Sequence, residues 1–309
     1  MSNHTKQKTV IITGGNSGLG FECAKSIAHA HQDWHIVLAC RNNEKGVQAV
    51  DSITSETNNN NVSMLQLDLS SLESVRNFVN EYQMMNYPYL KGLICNAGIR
   101  VPEGTQYTKD GYELTFGVNH LGHFLLTSLL LDQFVEPGRI IVVSSYVHKS
   151  GVPQGQVAPT TYLDAKKLAH PGTDQEISGT QRYAISKLCN ILFAYELNRK
   201  LRKKGMAITV NAFDPGLVLG TNLFGERRNL RRTILDSWFG RKLLERRGIV
   251  ASTPKKSGKA MGRLLLDSQL GKLSGKYFQI LEEISSSEDS YKQEMAKELW
   301  ESSKELTSL

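Results

Sequence analysis

At 309 residues, 40% hydrophobic and 22% charged, the chain has ordinary globular composition, long enough for one large α/β domain or two small ones and unlike a disordered or fibrous sequence. Its formal net charge is +7. Seven residues before the first strand signal at Lys8 leave no room for a signal or transit peptide, and the apolar stretch FLLTSLLL from Phe124 falls short of the roughly 18 residues that span a bilayer, so a cytoplasmic protein is expected. Cys23, Cys40, Cys95 and Cys189 show no CxxC or metal spacing and fall inside strand or helix signals, so reduced buried thiols, with no disulfide and no metal, are expected.

The first element is the β-branched run TVII (9–12), a buried parallel strand by its pattern, followed by TGGNSGLG (13–20) and a run from Leu19 with apolar positions at helical spacing. Gly14, Gly18 and Gly20 thus lie between a strand and a helix, spaced G-x-x-x-G-x-G and not G-x-G-x-x-G. Unpaired N–H groups at a helix N-terminus favour a phosphate. A side chain at Gly14 or Gly20 would hold a pyrophosphate or the helix at a distance. Taken alone, the loop also reads as a plain glycine turn.

Strand signals recur at 34–40 (WHIVLAC), 62–67 (VSMLQL), 90–98 (LKGLICNAG), 138–145 (GRIIVVSS) and 206–216 (MAITVNAFDPG). Between them run a polar helix to about Thr54, a helix from Leu72, a long one through ELTFGVNHLGHFLLTSLLLDQF and another through YAISKLCNILFAYELNRKL. This alternation predicts a doubly wound parallel sheet in a single α/β domain, 1–309: a core (8–216), a small lid (217–256) and a C-terminal strand and helices (257–309). Ligands of such a sheet bind at the carboxyl ends of its strands. The unusual clusters fall there: the glycine loop, Cys40-Arg41, Asp68, Asn96-Ala97-Gly98, Ser144-Ser145 and Asp214-Pro215-Gly216.

In their order these motifs resemble the short-chain dehydrogenase/reductase family over about 8–221: TGxxxGxG at 13–20, Asp68, Asn96-Ala97-Gly98, Asn119, Ser145, Tyr183-x-x-x-Lys187 and Pro215-Gly216. VNHLGHF, YAISKLCN and ACRN are most similar to its retinol-dehydrogenase and protochlorophyllide-reductase-like branch. The resemblance implies a Rossmann-type fold and a nicotinamide dinucleotide cradled by Gly14, Asn16, Ser17, Gly18, Leu19 and Gly20. It puts Asp68 and Leu69 at the adenine, and Asn96, with Ala97 and Gly98, at the adenine ribose. Lys187 would bind the nicotinamide ribose, Asn119 would hold a water linking Lys187 to solvent, and Pro215, Gly216, Val218 and Thr221 would complete the site. PGLVLGT is one residue longer than PGxVxT, so the register of Val218 and Thr221 is open.

The residues carry a chemistry of their own. Tyr183 and Lys187, four apart on a helix, face the same way. A phenol of ordinary pKa about 10 moves protons poorly at neutral pH, and a nearby ammonium or the positive nicotinamide of an oxidised cofactor would lower it. Tyr183 could then protonate a carbonyl oxygen as hydride arrives, or deprotonate the alcohol in reverse, with Ser145 hydrogen-bonded to that oxygen. Alone, YxxxK also describes a half-buried tyrosine beside a surface lysine. Ser144 faces the opposite way from Ser145 by strand alternation, and the family pattern selects Ser145. His120, His123 and His148 read as helix-surface, core or loop histidines, and Cys189 as packing.

An acid at the end of the second strand would bind a ribose 2′-hydroxyl, whereas Arg41 suits a 2′-phosphate, and Asp33 lies at the strand's other end. NADP(H) is the expected cofactor. The 146–181 segment is longer than in compact family members and is expected to fold over or beside the site. Leu223, Phe224, Ile234, Leu235, Trp238 and Phe239 make the lid apolar, which suits an apolar aldehyde, ketone or alcohol. The expected function is NADPH-dependent hydride transfer to such a carbonyl. The alternatives are a light-dependent protochlorophyllide reductase and an NADPH-sensing protein without turnover. Residues 227–256 hold ten Lys or Arg against Asp236 and Glu245. No recognition motif accompanies them, so nucleic acid is not expected; they read as a solvated face or as a peripheral contact with an anionic membrane surface.

Overall fold

The β-branched runs and the amphipathic segments between them become, in a computed structural model that describes residues 7–149, 162, 164–172, 177–218 and 250–309, one sheet with helices on both faces. Its first half is β1 (Lys8–Thr13), α1 (Gly18–Ala30), β2 (Trp34–Cys40), α2 (Asn43–Thr57), β3 (Val62–Gln66), α3 (Leu72–Met84) and β4 (Tyr89–Cys95). The second half runs through α4 (Leu114–Phe116), a π turn (Gly117–Leu121), α5 (Gly122–Leu130), β5 (Phe134–Val143), α6 (Ala165–Ala169), α7 (Gly179–Lys203) and β6 (Ile208–Asp214). There follow β7 (Leu217–Val218), β8 (Ala251–Ser252), α8 (Pro254–Leu266), β9 (Tyr277–Gln279), β10 (Glu282–Glu283) and α9 (Gln293–Thr307).

The main sheet has the order β10-β9-β6-β5-β4-β1-β2-β3, with β9–β10 its antiparallel pair. The strand order reverses between β1 and β4, and the crevice above their carboxyl ends is where such a sheet binds ligands. Alternate residues divide the core. Val10, Ile12, Ile141 and Phe213 pack under α1 and α8, while Ile11, Leu93, Val142 and Ala212 pack under α3, α5 and α7. Both faces are covered, which is why these strands read as continuous apolar runs.

The long helix expected through 113–134 is interrupted: α4 and α5 are joined by the π turn, which widens the backbone around Asn119. The run Leu114–Gln133 has mean hydropathy 1.3, enough by length and composition to cross a membrane, and is 78% buried inside the fold as a core helix. It is longer and more apolar than FLLTSLLL alone suggested. α9 closes its outer side: the Trp300 ring lies 5.0 Å from Phe124 and 6.0 Å from Phe193, the Ser303 hydroxyl meets His120 Nε2 at 2.8 Å, and Arg76 donates to the Thr307 carbonyl at 2.6 Å.

Candidate active site

Between β1 and α1 the backbone passes against the end of β4. Gly14 has φ +65°, and a Cβ there would lie 3.2 Å from Ala97 Cα; a Cβ on Gly20 would lie 2.5 Å from the Gly14 carbonyl oxygen. Only glycine permits this turn and this approach. α2 and α3 are capped by Asn42 and Ser71 and carry Glu44 and Glu73 in their first turns, whereas Ser17 makes no side-chain cap and α1 has no acid in its first turn. The amides of α1 and its dipole are therefore left to an external anion, and a dinucleotide pyrophosphate fits that cradle.

The cradle opens into a cleft of about 750 Å³, bordered by every residue assigned to cofactor or catalysis from the sequence except Gly20, Asn119 and Thr221. Gly20 packs behind the loop, Asn119 is fully buried beneath the cleft, and Thr221 lies outside the described residues. So do Leu223, Phe224, Ile234, Leu235, Trp238, Phe239 and the basic residues up to Arg247, hence most of the expected lid. Arg41 is exposed on the cleft wall, beyond the end of β2. Asp33 sits at the strand's far end, paired with Lys8 at 3.1 Å. Burial alone would raise the Asp68 pKa, but the Ser70 hydroxyl and amide, at 2.6 and 3.0 Å, and the Lys109 ammonium, at 3.4 Å, hold it below the usual range.

Asn119 is placed by the π turn. Its Oδ1 accepts the Ile99 amide at 2.8 Å, and its Nδ2 donates to the Ile99 carbonyl at 3.0 Å and to Ser186 Oγ at 2.9 Å. Its carbonyl accepts from His123 Nδ1 at 3.1 Å, and His123 Nε2 meets Thr13 Oγ1 at 2.8 Å. His120, His123 and His148 are all buried core residues, so of their expected settings the structure selects the core. Cys23, Cys40, Cys95 and Cys189 are free and buried.

Ser144 and Ser145 end β5 and serve different partners. Ser144 Oγ donates to the Lys187 carbonyl at 2.8 Å. Ser145 borders the cleft, and its carbonyl accepts from His148 Nδ1 at 2.7 Å, while His148 Nε2 accepts the Ser287 amide at 3.0 Å. Tyr183 and Lys187 lie on one face of α7, with Lys187 Nζ 5.5 Å from the Tyr183 ring centroid and donating to the Val143 carbonyl at 3.2 Å. Burial lowers the Lys187 pKa to about 8 against the opposing pull of Asp214. Tyr183 departs from expectation: burial first, then the Asp214 carboxylate, push its pKa up, and the group that opposes them is Arg100. Lys187, whose own charge burial opposes, does not offset these influences, and the phenol stays raised.

Sequence reasoning missed Arg100, Thr180 and Tyr146 on the cleft wall. Arg100 Nη2 donates to Thr180 Oγ1 at 2.7 Å, tying the segment after β4 to the first turn of α7 three residues before Tyr183. A charged side chain two residues beyond Asn96-Ala97-Gly98, at a strand's carboxyl end, was the available signal.

Comparison with known proteins shows the family. Residues 8–161 match the short chain dehydrogenase family model. Human retinol dehydrogenase 13 is 35% identical over 98% of this chain and 85% of its own length, and protochlorophyllide reductase A of Oryza sativa is 34% identical over 98% and 81%. A crystal structure from Mycobacterium paratuberculosis superposes with a TM-score of 0.70 at 26% identity, covering 98% of this chain and 94% of that one. The chain belongs to the short chain dehydrogenase family, oxidoreductases that use NAD(H) or NADP(H).

The buried histidines make an acid-sensitivity prediction. Burial lowers His120, His123 and His148 from 6.5 to about 3, 4 and 4. Below about 6.5 the unfolded chain takes up protons that the folded chain refuses. Stability is thus complete above that pH and falls toward pH 4, by up to about 1.4 kcal/mol per pH unit per histidine. The urea midpoint should fall between about pH 7 and about pH 5; an unchanged midpoint would mean that these rings accept protons in the folded state.

Proposed function

We propose that the protein is an NADPH-dependent oxidoreductase that moves a hydride between the cofactor and an apolar aldehyde or ketone, or the corresponding alcohol. The observation that carries this reading is the convergence of Ser145, Tyr183 and Lys187 on one cleft beside the glycine cradle. When bound, the nicotinamide supplies the hydride carrier and, oxidised, a positive ring beside the phenol. Tyr183 Oη gives a proton to the carbonyl oxygen in reduction and takes it from the alcohol in oxidation. Ser145 Oγ steadies the oxygen as charge develops on it, and Lys187 holds the ribose. Ile99, Leu114, Val118, Val147, Leu217 and Val218 line the same cleft, which supports an apolar substrate. Arg41 at the end of β2 supports NADPH over NADH.

The likeness to protochlorophyllide reductases supports a second reading, light-dependent reduction of protochlorophyllide with the same tyrosine and lysine. A sensor without turnover has no use for the buried Tyr183–Lys187 pair. NADPH oxidation with a panel of aldehydes, ketones and protochlorophyllide, in darkness and in light, separates the three readings.

Tyr183→Phe should abolish turnover while leaving NADPH affinity within a few-fold, by rate assay and fluorescence titration; full activity in this variant would remove the proposed mechanism. Arg41→Asp should weaken NADPH at least about tenfold, roughly 1.4 kcal/mol, and spare NADH. An unchanged preference would place 2′-phosphate recognition elsewhere.

We also propose a cytoplasmic protein that touches an anionic membrane surface through its basic 227–256 stretch. Anionic but not zwitterionic vesicles should bind it, less so in high salt, and exchange of Arg227, Arg228, Arg231 and Arg232 for glutamine should abolish binding. Equal binding by that variant would limit the charge to a role in solubility.

A further inference from the structure

At the carboxyl end of β6 stands an acid that the mechanism above does not use. Asp214 is 0% exposed. Along β6, Val210 and Ala212 pack toward α7 and Phe213 toward the other face, so strand alternation turns Asp214 toward α7 as well. On the neighbouring strand Val143 pairs with Phe213, and the Ser144 amide donates to the Phe213 carbonyl at 2.7 Å. Lys187 Nζ donates to the carbonyl of that same Val143. Paired strands lie about 4.8 Å apart, so the Asp214 carboxylate and the Lys187 ammonium share the space enclosed by the ends of β5 and β6 and by α7.

Both carboxylate oxygens accept from N–H donors: Oδ1 from the Gly216 amide and Oδ2 from Gln279 Nε2, each at 2.9 Å. That pattern fits the anion, since a protonated carboxyl would turn an O–H toward a donor. A buried anion is tolerated when hydrogen-bonded and matched by a cation. The ionisable groups around Asp214 are Lys187 and Tyr183 on α7, Tyr277 on β9 and Tyr146 after β5. Further out, Arg100 acts on Tyr183, His123 of α5 faces Lys187, and His148 lies 5.1 Å from the Tyr277 ring. Among these the buried cation on the catalytic helix is Lys187.

We propose that Asp214 is a positioning residue of this site: its buried carboxylate is the fixed counter-charge of Lys187, keeping the ammonium charged over the end of β5 and setting the pH at which the Tyr183–Lys187 pair works. The link to catalysis rests on the Tyr183–Lys187 reading above; the charge pairing does not. Asp214 strengthens proton binding by both partners, opposing burial at Lys187 and adding to it at Tyr183. Removing its charge therefore moves both groups in one direction, toward lower pH. Because the pair titrates together, the pH profile reports that common movement whichever group dominates it.

Asp214→Asn removes the charge at nearly constant shape, and Asp214→Glu keeps the charge at altered reach. Carbon-detected NMR of labelled lysine, with Lys187→Met for assignment, reads Lys187 without turnover or cofactor. It should titrate near pH 8 in the parent, at least about one unit lower in the folded Asn variant, and close to the parent in the Glu variant. The alkaline-rising limb of kcat/KM for alcohol oxidation should move down by a similar amount in Asp214→Asn alone, about a tenfold gain at a fixed pH on that limb. Circular dichroism and thermal unfolding confirm which variants are folded. If the Asn variant does not fold, the Glu variant decides: a Lys187 titration far from the parent's would overturn the pairing. An unmoved Lys187 in a folded Asn variant overturns it as well. A moved lysine with no turnover on any substrate would retain the pairing and sink the oxidoreductase reading instead.

Discussion

The site hangs on one buried hydroxyl. Thr13, the last residue of β1, accepts the amides of both Asn96 and Ala97 at 2.9 Å, so two backbone donors at the end of β4 are tied to the neighbouring strand. With its lone pairs committed, the hydroxyl can donate only outward, and the His123 Nε2 at 2.8 Å is a better placed acceptor than the Ile94 carbonyl at 3.3 Å. That choice fixes the ring as neutral, its proton on Nδ1 and donated to the Asn119 carbonyl. Asn119 then reaches Ile99 and Ser186, one residue before Lys187. The end of β1, the β4 turn, the π turn and α7 are thereby held in one chain of hydrogen bonds, and a shift in any one is felt by the others.

Electrostatics works against that scaffold. Lys187, Asp214 and Tyr183 are all buried, and burial penalises the charged form of each, lowering the lysine and raising the acid and the phenol. Fixed partners compensate them: the Val143 carbonyl for the ammonium, and the Gly216 amide and Gln279 for the carboxylate. A charge satisfied in this way does not reorganise when a reaction moves a proton beside it, which is the property a general acid–base site needs. Arg100 acts in the other direction from Asp214, and Tyr183 lies between the two influences.

How far the sequence could be read follows from what each residue's neighbours are. Strands buried on both faces announce themselves as β-branched runs, and the glycine cradle shows because its constraint is local: Gly14 and Gly20 are excluded from bearing side chains by atoms a few residues away or across one strand. Tyr183 and Lys187 are legible as a pair because helix geometry alone puts them on one face. The π turn is not, since the partners of its Asn119 side chain, Ile99 and Ser186, lie on other segments. Asp214 sat in view within a DPG cluster, but its role depends on Gln279 and on α7, both remote in sequence. His123 could be recognised as a core histidine from its apolar neighbours; its tie to Thr13 spans 110 positions and no local pattern encodes it.

The division between what is rigid and what selects follows from the same contacts. Everything that must be held to a few tenths of an ångström lies on strand ends or on α7, which has a capping box at Ser178 and Gln181 and is packed by α9 along its length. The residues that would meet the substrate lie on the segments after β4 and β6, where Arg100 reaches Thr180 and Val218 belongs to the short β7–β8 pair. Side chains in the first group answer to backbone donors and acceptors that do not vary with substrate, so changing one disturbs the chemistry for every substrate alike. Those in the second group lie on connecting segments, where a fold tolerates exchange better than at its strand ends. The cleft thus combines connecting segments after β4 and β6 with a floor of buried charges whose partners are fixed by the sheet.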